Sequence, residues 1–409
     1  MIRQALAPDR RHRTMRVAGQ PDLILFSPLD LPRAVDVAPV ISLLELVQYR
    51  CGRLAANLEA LPDASALQRL LNRWDAVILG ASGDRRADFC ALLISEQQGD
   101  GDGDALTIRQ GRNYAALSDQ ILERATQSDP LASPAQVEAR IKAMHARLSA
   151  KTAAQGFGGS FRTQVTVAGG FVLDLGRIAP PPPEHIAACL TDVAMFIAAP
   201  PPIPLLLRIA MVWAQLIAIA PFEQGNQMLC QALAAEMAVR EGYAPLFNAQ
   251  FVLPEQACAR NALRAAILEG VWAPWFCYFL QGVNKAIGKV QDVIESVQTI
   301  AAQWERRLDG TRQHSFARAT AQWASCQPAL TANAVRARFD VSSPTARAAL
   351  ARLVEVGILL GHSESRGRRL YVAPDILAIF SDQADGPASP EAEPICMVAA
   401  TGRPRGLFV

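Results

Sequence analysis

Residues 220–231 read A-P-F-E-Q-G-N-Q-M-L-C-Q, and the architecture can be read outward from them. Pro221 cannot continue a helix, and Gly225-Asn226 is a pair that tolerates the left-handed backbone of a tight turn. The segment from Pro221 to Asn226 is therefore read as a turn between two helices. Before it, residues 204–219 are almost wholly apolar. After it, Leu229, Leu233 and Met237 recur at helical spacing until Gly242, a suitable C-terminal cap. The apolar run Ile203 to Ile219 has 17 residues and is interrupted by Arg208 and Gln215. A membrane span needs about 17–25 apolar residues, so a fully buried central helix is expected instead.

Further upstream, Pro180 to Pro183 and Pro200 to Pro202 bracket a helix that runs to about Ala198. The glycine-rich stretch from Gly156 to Gly170 begins a loop, and Phe171 to Ile178 is expected as a short hairpin. Residues 21–38 are proline-spotted and read as extended. From Val40 to about Leu61 a helix carries Leu43, Leu44, Val47, Leu54 and Leu58. Pro62-Asp63 ends it. Asp63 or Ser65 caps a second helix with Leu67, Leu70, Leu71 and Trp74. Residues 111–149 read as helices, and 257–308 as two or three more, with Trp272, Trp275, Phe276, Tyr278 and Phe279 as core and interface rather than a base-stacking platform. The run GDGDGD at 99–104 is a loop. Its calcium-loop positions hold Ala105 for the required glycine and Gly111 for the bidentate glutamate, so calcium binding is rejected.

The stretch 220–231 resembles the Fic family motif H-P-F-x-[DE]-G-N-G-R-x-x-R. Other features are similar to that family in the same order: G-S-F-R at 159–162, the flap, P-P-P-P-E at 180–184, and V-W-A-P-W-F-C-Y-F-L-Q-G-V at 271–283. The resemblance covers most of residues 40–290. It implies a machine that transfers a nucleotide group, usually AMP, to a hydroxyl. A histidine would take the hydroxyl proton, an acid would hold magnesium, the turn would offer backbone N–H groups to phosphate, and two arginines would clamp it. In this sequence the histidine position is Ala220, the acid position Gln224, the second turn glycine Gln227, and the arginine positions Met228 and Gln231. Pro221, Phe222, Gly225 and Asn226 survive, the last two as a vestigial anion turn. No catalytic residue and no cofactor are expected, and nucleotide binding should be weak or absent. Glu223, with His185 or His145 as base, is the one route by which catalysis could be rescued. The family's inhibitory motif [ST]-x-x-x-E-[GN] maps onto residues 74–84, placing Leu79, Gly83 and Asp84 at its three defining positions.

Residues 331–359 change character. A helix carries Ala334, Val335, Ala337 and Phe339, Asp340-Val341 turns, and Ser342 or Ser343 caps a second helix with Pro344 in its first turn. Leu350, Leu353 and Val354 face a core, Gly357 ends the helix, Ile358-Leu359 starts a strand, residues 363–369 form a tip, and Leu370 to Val372 return. This order resembles the winged helix-turn-helix domains of many Fic proteins. Residues 311–372 hold nine arginines and three acids, a net +6, whereas the whole chain is +2. Double-stranded DNA is the partner such a focus of charge suggests. Ser343, Thr345 and Arg347 begin the second helix, where base edges are read, and Arg352 follows. Arg366, Arg368 and Arg369 suit phosphate or minor-groove contact.

Eight cysteines and five histidines are scattered singly, without metal-ligand or redox spacing, so no metal site is expected. The N-terminal arginines Arg3, Arg10, Arg11, Arg13 and Arg16 precede no apolar segment and read as a solvated tail. The expectation is a mostly α, cytoplasmic protein without membrane contact: a Fic-like helical core with a short β-hairpin flap, plus a C-terminal winged helix-turn-helix domain. Residues 1–20 are a disordered basic tail, 21–110 an N-terminal helical region, 111–290 the Fic core, 291–310 a connecting helix, 311–376 the winged helix and 377–409 a disordered tail. The expected function is a non-catalytic DNA-binding regulator whose core serves as a dimerisation or ligand-sensing body, with a homodimer as one expected assembly. The alternatives are a divergent AMP transferase and a protein-interaction module.

Overall fold

The structure is a computed structural model that describes residues 13–17, 20–61, 63–79, 88–98, 106–125, 133–152, 155–165, 178–244, 257–309, 316–362 and 369–382. It is mostly helical, with two small sheets. In the first sheet β1 (Thr14–Val17) pairs antiparallel with β2 (Gln20–Phe26), and β2 pairs in parallel with β3 (Ile178–Ala179). Thr14–Val17 lay in the expected basic tail. It is ordered because the run Leu23 to Phe26 is buried, and β1 covers the edge of that strand. Residues 1–12 lie outside the described residues, as do 171–177 of the expected hairpin. Ile178 joins β2.

The helical body comprises α1 (Ile41–Glu59), α2 (Ala64–Leu79), α3 (Phe89–Gln98), α4 (Leu106–Ala125), α5 (Pro134–Leu148), α6 (Pro183–Ala198), α7 (Leu205–Ile219), α8 (Asn226–Arg240), α9 (Ala257–Arg264) and α10 (Ala273–Arg307). A five-residue π turn, Ala265–Glu269, extends α9 and ends at Gly270. Asp63 caps α2, its carboxylate accepting from the Ala66 N–H. The central helix α7 is buried at every position except Arg208. Its two polar residues are accommodated individually: Arg208 forks onto Glu241, and Gln215 donates to the Leu29 carbonyl at 2.7 Å. No described helix is long and apolar enough to cross a membrane.

Two expected boundaries differ. The closing segment at 271–283 and the connecting helix at 291–310 are one continuous helix, α10, of 35 residues. Its buried row Phe279, Val283, Ile287, Val290, Ile294 and Val297 never breaks, so nothing stops the helix between them. At the other end, residues 377–382 are not tail. They belong to α14 (Pro374–Asp382), whose Ile376 and Phe380 are buried. The composition beyond residue 382, outside the described residues, dominated the sequence reading there.

Between them lies a compact C-terminal unit. It runs α11 (Phe316–Ala324), β4 (Ala329–Thr331), α12 (Ala332–Phe339), α13 (Ser343–Glu355), β5 (Leu360–His362) and β6 (Leu370–Val372). Its antiparallel sheet has the order β4-β6-β5, with Tyr371 opposite both Leu330 and Gly361. Asp340, in the left-handed region at φ 50°, ends α12 and starts the three-residue turn to α13. The unit shares one hydrophobic core with the helical body. Phe380 of α14 packs on Trp74 of α2 and Phe89 of α3, with ring centroids at 5.7 and 4.6 Å. Trp304 of α10 donates to the Asp375 carboxylate at 2.9 Å.

Candidate functional site

The turn between α7 and α8 is built mostly by its own backbone. Ala220 caps α7 in the left-handed region, φ 43°, and its N–H reaches the Leu216 carbonyl at 2.9 Å. A non-glycine residue rarely adopts this conformation, although histidine and asparagine are enriched there. Gly225, at φ 77°, starts α8. Asn226 closes the turn through both side-chain atoms: its Oδ1 accepts from the Phe222 N–H at 3.1 Å and its Nδ2 donates to the Phe222 carbonyl at 2.8 Å. The side chain of the expected anion turn thus ties the turn to itself. No side chain caps α8.

Two residues from elsewhere brace this turn. His145 of α5 is buried and stacks on Phe222, with centroids 3.7 Å apart and planes 10° apart. The Gly159 N–H donates to its Nδ1 at 3.0 Å, which leaves Nε2 to carry the proton and donate to the Gln224 carbonyl at 2.9 Å. Both ring nitrogens are engaged, and burial pushes the His145 pKa below its ordinary value. The imidazole holds the turn and has no nitrogen left to act as base. His185, the other rescue candidate, is exposed at the start of α6 and bonds Ser27 at 2.8 Å.

Arg162 is the second brace. It is buried, and its guanidinium donates to the carbonyls of Ala220 (2.8 Å), Gln164 (2.9 Å), Pro181 (2.6 Å) and Ile219 (3.3 Å). Its own N–H reaches the Pro221 carbonyl at 3.0 Å. The carbonyls at the end of α7 form the negative pole of that helix, which suits a cation. Burial lowers the Arg162 pKa, and Glu223 opposes the shift. Sequence reading named His145 only as a possible rescue base, not as a brace, and did not single out Arg162, which stands in the quoted G-S-F-R.

The positions expected to carry chemistry diverge in space. Ala220 is buried, whereas Glu223 and Gln224 are exposed. Met228 and Gln231 lie on the buried side of α8. Gln231 is 0% exposed; it donates to Asp75 of α2 at 3.0 Å, and Tyr114 of α4 donates to the same carboxylate oxygen at 3.0 Å. Burial, reinforced by Asp75, raises the Tyr114 pKa. The residue of α2 that reaches the motif helix is therefore Asp75; Gly83 and Asp84 lie outside the described residues. Further along α8, Glu236 is buried between Arg140 of α5 at 3.0 Å and Arg240 at 2.9 Å. No group of side chains suited to a metal ion occurs among the described residues.

The buried helix, the braced turn and most of the second helix lie within residues 136–238, which match the sequence profile of the Fic/DOC family. Similar solved structures include a Fic family protein from Desulfovibrio desulfuricans G20, with 16% identity and a TM-score of 0.49, covering 84% of this chain and 98% of that one. Fic-1 from C. elegans (residues 134–508) has 17% identity and a TM-score of 0.44, covering 63% and 75%. A Fic domain containing signaling protein from Bacteroides thetaiotaomicron VPI-5482 has 13% identity and a TM-score of 0.43, covering 60% and 98%. No curated protein matches the chain significantly. The matched residues contain His145, Arg162, the turn and most of α8, and Asp75 reaches them from outside.

The second candidate surface lies on α13. Ser342 caps it, its hydroxyl accepting from the Thr345 N–H at 3.3 Å, and the first turn holds no acid. Thr345 and Arg347 are exposed there, Ser343 is half-buried, and Arg336 is exposed on α12. Other arginines are already engaged. Arg352 pairs with Glu355 at 2.8 Å, Arg338 pairs with Asp63 at 3.2 Å, and Arg318 bonds Glu305. Exposed Arg369 lies 5.5 Å over the Tyr371 ring and fills the space that a side chain at Gly361 would need. Arg366 and Arg368 lie outside the described residues.

Proposed function

We propose that this chain is a non-catalytic Fic-domain protein that binds double-stranded DNA through its C-terminal unit, read as a winged helix. The observation that carries the reading is the start of α13. It is capped by Ser342, free of acids, and presents Thr345 and Arg347 to solvent beside Arg336. A helix presented by a short turn and flanked by a three-stranded sheet is the geometry by which such units enter the major groove. Arg369, 5.5 Å over the Tyr371 ring and exposed, is the residue we assign to the phosphate backbone. The non-catalytic half rests on Ala220, Gln224, Met228 and Gln231. None of these supplies a base, a metal-binding charge or a phosphate clamp.

Genomic fragments captured by the full-length protein, followed by fluorescence anisotropy on enriched duplexes, test the reading. Affinity is expected to fall with salt at a log–log slope of about −0.9 per phosphate neutralised. Arg369→Ala should weaken all sequences alike and flatten that slope. Arg347→Ala should relax sequence preference by about 1–3 kcal/mol if the guanidinium is bidentate on guanine. Absence of duplex binding at low salt, with no enriched sequence, overturns it in favour of a protein-interaction module.

A further inference from the structure

Helix α1 turns one face to the body and leaves the other bare. Leu44, Val47, Cys51, Leu54 and Leu58 are buried. On the opposite face Tyr49 is 64% exposed and Leu46 48%. Around Tyr49 the face is small and flat: Ser42, Gly52, Ala56 and Ala60 are all exposed. The two charges on this face are Glu45, four residues before Tyr49, and Arg53, four residues after it. Both are exposed. Arg53 lies 5.9 Å over the Tyr49 ring, and neither charge has an ion-pair partner among the described residues.

This order of charges is self-complementary. About a two-fold axis at Tyr49, an antiparallel copy of the helix brings its arginine to the level of Glu45 and its glutamate to the level of Arg53. Such an axis makes every contact twice. A partner with a different charge order would leave one of them facing its like. We propose that the exposed face of α1 is an interface with a second copy of this chain, packed antiparallel about Tyr49 and fixed in register by two reciprocal Glu45–Arg53 pairs. The inference is independent of whether the chain binds DNA. With 19 residues, α1 is about 28 Å long, so this face alone falls short of the ~800 Å² per partner of a stable complex. The dimer should therefore exchange with monomer rather than be permanent.

Sedimentation velocity on the full-length protein over a concentration series tests this. A reversible monomer–dimer equilibrium is expected. Glu45→Arg and Arg53→Glu should each weaken it by about tenfold or more, because each sets like charges opposite one another across the axis. The double swap Glu45→Arg/Arg53→Glu reverses both signs and should restore dimerisation. Recovery of that kind cannot come from a fold defect, since two such defects would add. Leu46→Asp should also dissociate the dimer with no change in melting temperature. A protein that stays monomeric throughout, a dimer indifferent to the single swaps, or a double swap that recovers nothing overturns the proposal.

Discussion

His145 carries a consequence for pH. Its imidazole is neutral and buried, with the Gly159 N–H on one nitrogen and the Gln224 carbonyl on the other. Burial lowers its folded pKa, while the unfolded side chain titrates at about 6.5. Above that value both states are neutral and the contribution of His145 is complete. Below it the unfolded chain takes up the proton first, so stability is lost as pH falls from about 6.5 through the depressed folded value. Melting temperature should fall between about pH 7 and 5. His145→Gln should start lower but with a shallower slope, measured by circular dichroism in a pH series. An equal slope in the variant would remove His145 as the cause. The sequence marks some residue-scale features and not others. Ser342 could be read as a cap because serine followed by a first-turn proline has a local signature. The roles of His145 and Arg162 could not, because they bind backbone atoms, which no side-chain pattern records.

Single residues also explain what could be read at the scale of elements. Helices α1, α7 and α8 follow from apolar spacing and from the residues that stop them. The element read as tail, α14, is short, and its anchor Phe380 fills a site made by α2 and α3, about 300 residues earlier in the chain. Only the fold brings those partners together. Phe380→Ala removes a fully buried ring and should cost about 3–5 kcal/mol. Urea unfolding would show a lower midpoint at an unchanged slope. A shift below about 1 kcal/mol would mean that the space between Trp74 and Phe89 closes without it. The reading of 291–310 as a separate connector failed for a related reason. A change of neighbours along α10, from the helical body to the C-terminal unit, leaves no mark when the buried row continues.

At the scale of the whole molecule, the net charge of +2 conceals how the basic residues are used. The sequence concentrated them in 311–372, but two of those arginines tie the unit to the helical body: Arg318 bonds Glu305, and Arg338 bonds Asp63, the cap of α2. Tertiary pairing of this kind is invisible to a count. The same holds at the motif, where the sequence identified the substitutions but not that Gln231 is committed to Asp75. On the proposed reading, the protein should transfer no label from radioactive ATP to itself or to lysate proteins. Calorimetry should show no micromolar, magnesium-dependent ATP binding, because two phosphate-clamping arginines are worth about 1.5–3 kcal/mol each. Gln231→Arg should not restore it, since the new guanidinium would meet Asp75 first. Label that appears and then disappears on Glu223→Ala would instead support a divergent transferase.

The clasp of Phe380 over Trp74 and Phe89 also sets a timetable. Those two rings belong to helices made early, yet the residue that covers them is translated some 300 positions later. At roughly 5–20 residues per second, that interval is on the order of 15–60 s. For that time the growing chain presents an aromatic hollow with nothing to fill it. A ribosome that stalls or terminates before residue 380 releases a product with the hollow still open, the kind of surface on which holding chaperones act.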